Sequence, residues 1–381
     1  MRVTEDDVRR GLQPAVRWLS ESGIRSPEGA YTSIYSPKTG RYLSWDGTQT
    51  CLNATVGAVL ALGDIDHLDL ALRSAQHVCD LALDRGHRMT GALLSGAQGS
   101  SVFSNWTFSA IVALLRAFEW SGSERFLETA RAAGYFVLAE MTATNGSVIQ
   151  KRSTDRVADF TSRLLMPRQV WGAGGVRAFQ LLHDLGGDER FGEASRALAR
   201  WVSAQQSPSG WFPTYVHTPV SRLAWGVRRR SATEILDGCR IGHPTAHTRA
   251  IEALMLSGDR EGARRTAKWL AERLSPNGLL YEQYSENGTH GLVEDVMPTA
   301  HFGLLLLDHP QLTENNNLLE RIAGGILYAQ IESADSGAHG AMRGLPLDPK
   351  LGGDAYAWDT AFAIRFLFRY LNRLGSAGGF S

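Results

Sequence analysis

Two kinds of apolar pattern alternate along the chain. In four places an apolar segment ends at Gly or Ser-Gly, a short acidic turn follows, and a second segment repeats its apolar residues every third or fourth position. These read ATVGAVLALGDIDHLDLALRSAQHVCDLAL, SAIVALLRAFEWSGSERFLETARAAGYFVL, GVRAFQLLHDLGGDERFGEASRALARWV and RAIEALMLSGDREGARRTAKWLAERL. Helical spacing with a glycine stop between the halves predicts a helical hairpin in each. The first helix is apolar around much of its circumference, as a helix covered on two sides must be. The second carries Arg, Glu and Lys on one side. An inner and an outer layer follow.

A fifth pair reads PTAHFGLLLLDH and then LLERIAGGILYAQ, and a sixth inner helix, WDTAFAIRFLFRYL, lacks a return partner. The segment from Thr4 to about Leu19 opens with a Thr4-x-x-Asp7 pattern near a capping box and is expected to supply that partner and close a ring. Pro14 inside it predicts a kink or a split. The expected architecture is all-α, one domain over residues 1–381, with inner helices beginning near Thr50, Ser104, Arg168, Thr245, Pro298 and Tyr356. The long connections Glu28–Gln49, Asn145–Pro167, Gln206–Pro244, Pro276–Met297 and Ser333–Asp354 all precede inner helices, so a closed ring gathers them on one face.

Three phrases carry a resemblance. The repeated Gly-Asp before an outer helix, Gln206-Ser-Pro-Ser-Gly210-Trp211, and Tyr356-Ala-Trp-Asp359-Thr360 at the last inner helix resemble the six-hairpin, or (α/α)6, toroid superfamily. The resemblance spans nearly the whole chain. It implies a toroid of the kind shared by glycosidases, polysaccharide lyases and sugar epimerases, with terpenoid cyclases built on related toroids. One toroid hosts many reactions, so the chemistry must come from particular residues.

Composition removes several classes. Lys plus Arg (39) balances Asp plus Glu (39), with no long like-charge run, so nucleic acid and an anionic membrane are not expected partners. The three cysteines, Cys51, Cys79 and Cys239, are far apart and fit neither a disulfide framework nor a zinc site. The opening MRVTEDDVRRGLQPAVRWL lacks the pattern of a secretion signal, and no apolar run is long enough for a membrane span, so a cytoplasmic protein is expected. No Gly-rich phosphate loop followed by Lys and no His-Glu-x-x-His occurs, and no cofactor or metal is expected.

Asp46 in YLSWDGTQT and Asp359 in YAWDTAF each follow a Trp, Trp45 and Trp358, and precede an inner helix. Ring closure makes the first and sixth inner helices neighbours, and this pair suits glycoside hydrolysis, which needs an acid and a base flanking the scissile bond. Helix capping alone is the other reading of both. His247 and His301 stand in two copies of Pro-Thr-Ala-His, and equivalent positions in neighbouring inner helices point both rings into the bowl. Sugar epimerases of the resembling superfamily use paired histidines to remove and return a proton, work suited to the imidazole pKa. Buried, hydrogen-bonded helix-start histidines are the alternative, and His243 helps to line the entrance.

Glu294 and Asp295 precede the fifth inner helix, and Glu282 stands beside Tyr281 and Tyr284, an acidic and aromatic mixture suited to sugar rings. Asn105, Trp106, Arg168 and Trp171 stand at the second and third inner helices, and Tyr356 at the sixth. Arg168 either binds a substrate carboxylate or phosphate or makes a structural salt bridge. The leading expectation is a carbohydrate-active enzyme using acid–base chemistry for hydrolysis, elimination or epimerisation in a central bowl. The alternatives are a terpenoid-type cyclase with an inward acid and a non-catalytic glycan-binding toroid. Asp64 and Asp66 belong to a turn leading to an outer helix, which argues against the cyclase.

Overall fold

The computed structural model describes residues 3–43, 50–228, 241–315, 317–332, 337–344 and 353–378. Among them are fourteen α-helices: α1 (Glu5–Glu21), α2 (Leu52–Asp64), α3 (Leu68–Asp80), α4 (Ser104–Ser121), α5 (Glu124–Glu140), α6 (Arg156–Leu165), α7 (Gly175–Gly186), α8 (Glu189–Ser203), α9 (Pro219–Arg228), α10 (Pro244–Leu256), α11 (Arg260–Ala271), α12 (Val296–Asp308), α13 (Leu318–Tyr328) and α14 (Ala357–Gly378). Short strands precede the inner helices: β1 (Ile34–Ser36), β2 (Arg41–Leu43), β3 (Ser101–Phe103), β4 (Lys151–Ser153), β5 (Arg168–Gln169), β6 (Tyr215–Val216), β7 (Leu280–Tyr281), β8 (Glu294–Asp295) and β9 (Ala355–Tyr356). Every pairing is antiparallel: β2-β1-β9, β3-β4, β5-β6 and β7-β8.

Two compact units emerge. The first comprises Met1–His77, Leu270–Glu282 and Leu292–Ser381, and the second Val78–Trp269 with Gln283–Gly291. Inner helices α2, α12 and α14 belong to the first, and α4, α7 and α10 to the second. In α12 every residue from Val296 to Leu306 is buried, as expected of a doubly covered helix. Each buried Leu there is worth about 1.5–3 kcal/mol over exposure. Outer helix α11 buries Ala263, Ala267 and Leu270 and exposes Arg264, Arg265 and Lys268. No helix among the described residues is long and apolar enough to cross a membrane.

The N-terminal helix packs along α14 and α13, so α1 is the outer partner of the last inner helix. It starts with the expected capping box. The Asp7 amide donates to Thr4 Oγ1 at 3.2 Å, and the Thr4 amide donates to the Asp7 carboxylate at 3.0 Å. The expected split at Pro14 does not occur, because α1 runs unbroken through it. Val8, Leu12, Ala15, Trp18 and Leu19 bury one face of this helix. That packing outweighs the roughly 3 kcal/mol cost of an internal proline.

One turn recurs before all six inner helices. Gly29, Gly91, Gly146, Gly210, Gly278 and Gly340 all have positive φ, and each lies against the backbone of an outer helix, at Arg73, Ala132, Ala197, Arg265, Arg321 and Pro14 respectively. At Gly210 φ is +95°, and a Cβ would stand 2.6 Å from the Arg265 carbonyl oxygen, so only glycine fits. Two residues later the chain is pinned to the inner helix. The amides of Tyr31, Leu280 and Met342 donate to the hydroxyls of Thr55, Thr299 and Thr360 at 3.0, 2.9 and 2.9 Å. Each threonine is the fourth residue of its helix and donates in turn to the carbonyl four residues back, at Cys51, Asp295 and Tyr356.

Two of the long connections carry helices that the pattern did not reveal. Residues 145–167 contain β4 and α6, the latter capped by Asp155, which accepts from the Ala158 amide at 2.7 Å. Residues 206–244 contain β6 and α9. The third inner helix starts later than expected, at Gly175, after β5 and a 3-10 turn over Val170–Gly174. Asp64 ends α2 in an ion pair with Arg365 of α14 at 2.6 Å, a structural contact.

Candidate active site

In the first unit, two inner helices bring carboxylates to one backbone amide. Asp295 closes β8 and caps α12, and Asp359 is the third residue of α14. The Met297 N–H donates to Asp295 Oδ1 and to Asp359 Oδ1, each at 3.2 Å. Two oxygens sharing one donor lie no farther apart than twice that distance. Both residues are almost fully buried, at 6% and 7% exposure.

Burial disfavours a charged carboxylate, and a second carboxylate beside it adds to the effect. Burial pushes Asp359 up to about 7, against the pull of the Met297 amide. Burial, then the charges of Asp359 and Glu282, pushes Asp295 well above the ordinary carboxylate range. Such a pair retains a proton where isolated aspartates are ionised. Burial also raises the Glu282 carboxyl. The Tyr356 hydroxyl is raised by burial and then by Asp359, Asp354, Glu282 and Asp295, so this phenol stays protonated among acids. A Cβ on Gly344 would enter the Tyr356 ring, which therefore rests on that glycine. Tyr281 is raised by burial and by Glu294, whose carboxylate is held by the Asn277 amide at 3.2 Å.

His301 and Trp358 share this unit. His301 is buried in α12 with its ring edge-on to Phe362 at 5.6 Å, and Trp358 packs on Phe362 at 4.8 Å. Trp45 and Asp46 lie outside the described residues. Asp295 was legible as a candidate but not as the partner of Asp359, because ring closure directed attention to the first inner helix. In fact α14 packs against α12 as well as α2.

His247 belongs to the second unit, and its surroundings differ from the expectation. It is fully buried, its ring stacks on Trp269 at 4.9 Å and 10°, and Trp211 and Phe212 meet it edge-on. Nε2 accepts from the Phe212 amide at 3.1 Å, and Nδ1 lies 3.0 Å from the His243 carbonyl, so the N–H sits on Nδ1. Phe212 is two residues after Gly210, and His247 is the fourth residue of α10. The imidazole thus replaces the threonine of the other hairpins. The expected equivalence of His247 and His301 does not hold, because α12 begins at Val296 and places Thr299 fourth and His301 sixth. The two Pro-Thr-Ala-His copies are two residues out of register.

Other expected residues of this unit surround the starts of its inner helices. His243 caps α10, its Nδ1 accepting from the Thr245 amide at 3.2 Å, and its ring tilts against Trp171 at 4.7 Å. Burial, with the neighbouring His247, lowers it to about 3, so it is neutral near pH 7. Asn105 and Trp106 open α4, with Trp106 against Phe103 at 4.5 Å. Trp211 is buried, and the Tyr215 hydroxyl accepts from Gln150 at 3.0 Å. Arg168, on β5, is half-buried and makes no ion pair among the described residues.

A scan against protein-family models and a search of curated proteins return no match. Solved structures do match along nearly the full length. A novel alpha-amylase from Clostridium perfringens is 14% identical with a TM-score of 0.70, covering 94% of this chain and 98% of that one. Cellobiose 2-epimerase from Bacillus thermoamylovorans B4167 is 10% identical with a TM-score of 0.69, covering 96% and 99%. Unsaturated glucuronyl hydrolase from Bacillus sp. GL1, responsible for the degradation of glycosaminoglycan, is 13% identical with a TM-score of 0.66, covering 96% and 97%. The likeness establishes the fold: the chain is an all-α (α/α)6 toroid.

Proposed function

We propose that this (α/α)6 toroid is an enzyme that hydrolyses a glycosidic bond, with Asp295 and Asp359 as its reacting carboxyls. The observation that carries the reading is the pair of buried aspartates converging on the Met297 amide. One retained proton gives the pair both halves of the chemistry: the protonated member donates to the departing glycosidic oxygen while the ionised member serves as base or nucleophile. Tyr356 and Glu282 face the same acids and suit sugar hydroxyls. Amylase, epimerase and glucuronyl hydrolase neighbours, which share this fold, support a carbohydrate substrate.

Epimerisation by paired histidines loses its support, since both ring nitrogens of His247 face backbone groups. We also read residues 1–381 as one domain, in line with the coverage of the structural matches, and assign it to the cytosol on its widely spaced cysteines. The test is incubation of wild type, Asp295→Asn and Asp359→Asn with a panel of disaccharides and aryl glycosides in D2O, followed by proton NMR. Hydrolysis appears as new reducing-end signals, lost by about 100-fold or more in either folded variant. Deuterium entering a sugar carbon without bond cleavage, through a reaction that survives both substitutions, would sink the proposal.

A further inference from the structure

Several arginines of the second unit are held by carboxylates. Arg152 on β4 is fully buried and bonded to Asp159 and Glu140. Arg249 and Arg177 both pair with Glu252. Arg168 has no such partner among the described residues. Its strand residue pairs with Val216 on one side and Ile149 on the other, so the backbone is fixed. The next side chain, Gln169, turns inward to Ser104, leaving the guanidinium to the opposite side of the strand. There it is half-buried without a hydrogen bond or ion pair among the described residues. Burial alone lowers its pKa, with no neighbouring carboxylate opposing the shift.

A guanidinium that loses water without gaining an anion is destabilising. Its position suggests what restores the balance. β5 precedes α7, with a 3-10 turn between them, as β8 precedes α12, so Arg168 stands in the segment before its inner helix as Asp295 does in the first unit. A second cation is near in the chain. Lys151 is two residues from Ile149, lies over the Phe103 ring at 5.4 Å, and forms no ion pair among the described residues. A flat ring follows the strand, Trp171 standing three residues after Arg168.

We propose that Arg168, assisted by Lys151, is an anion subsite that takes the carboxylate of an acidic sugar. A single planar fork matches a carboxylate in two parallel hydrogen bonds. The inference rests on the proposed function only for the sugar part of its ligand.

The test is calorimetric titration of the full chain with glucuronate, glucose and glucose 6-phosphate, for wild type, Arg168→Gln, Lys151→Gln and Asp359→Asn. Wild type is expected to prefer glucuronate to glucose by about tenfold or more, a preference weakened by salt. Arg168→Gln abolishes that preference with thermal unfolding unchanged or raised, and Lys151→Gln weakens it by roughly threefold. Asp359→Asn keeps it while losing turnover, which separates failure of this subsite from failure of the catalytic reading. Equal binding of glucuronate and glucose, a preference that survives Arg168→Gln, or stronger Arg168-dependent binding of glucose 6-phosphate overturns the proposal.

Discussion

His247 in α10 holds the place that Thr299 holds in α12. Each is the fourth residue of its helix, each lies within hydrogen-bond reach of the carbonyl four residues back, and each accepts an amide from the residue two after a positive-φ glycine. The imidazole is therefore a strut between loop and helix. Replacing it by the residue the fold uses elsewhere separates structure from chemistry. His247→Thr leaves space beside Trp269 and is expected to cost about 1–3 kcal/mol in chemical denaturation. Turnover per folded molecule stays within roughly threefold, whereas loss of a proton-transfer residue costs about 10²–10⁴.

The repeated turn predicts a graded response of glycines. Gly210 has positive φ and no room for a Cβ, whereas Gly122 has positive φ with nothing near. Gly122→Ala is expected to cost about 1 kcal/mol, from the left-handed backbone alone. Gly210→Ala must also displace the α11 backbone and is expected to cost about 3 kcal/mol or more. Urea unfolding of both variants measures the difference, and equal losses would remove the close approach from the explanation.

The hairpins were legible because burial on two sides and burial on one side leave different apolar patterns. Closure by α1 was legible because the sixth inner helix lacked a partner. The turn was half legible: Ser-Pro-x-Gly occurs at Gly29, Gly210 and Gly278, yet Gly91, Gly146 and Gly340 share its geometry without its letters. The site was less legible. Identical Pro-Thr-Ala-His strings suggested equivalent histidines, but helix register is set by where each helix begins. Asp359 was found, and its partner was not, since a helix with two inner neighbours offers two choices that spacing cannot rank.

The acid pair makes stability depend on pH in a defined direction. A carboxyl with a folded pKa raised to about 7, against about 3.9 unfolded, binds its proton more tightly in the native state. That contribution is fully present below pH ~4 and is lost as pH rises towards 7, by up to about 1.4 kcal/mol per pH unit for one proton. Asp359→Asn removes the charge, so its stability relative to wild type is expected to increase from pH 4 to pH 7. Guanidinium melts across that range test the sign.

Catalysis by a pair holding one proton has an acidic limb. Asp359 ionises near 7, and its charge holds the proton on Asp295, so kcat/KM on any hydrolysed glycoside is expected to rise as pH approaches 7 and the base forms beside the donor. A pH–rate profile that stays flat from pH 4 to pH 9 would exclude a pair that works with one shared proton.

The most direct measurement of the central claim is carboxyl carbon NMR of 13C-aspartate-labelled protein, assigned by Asp295→Asn and Asp359→Asn and titrated from pH 3 to 9. The account predicts that one carboxyl proton of the pair persists to near neutrality, and that replacing Asp359 by Asn lowers the Asp295 midpoint by removing a neighbouring charge. Two independent aspartates titrating near the ordinary 3.9, each indifferent to loss of the other, would contradict it.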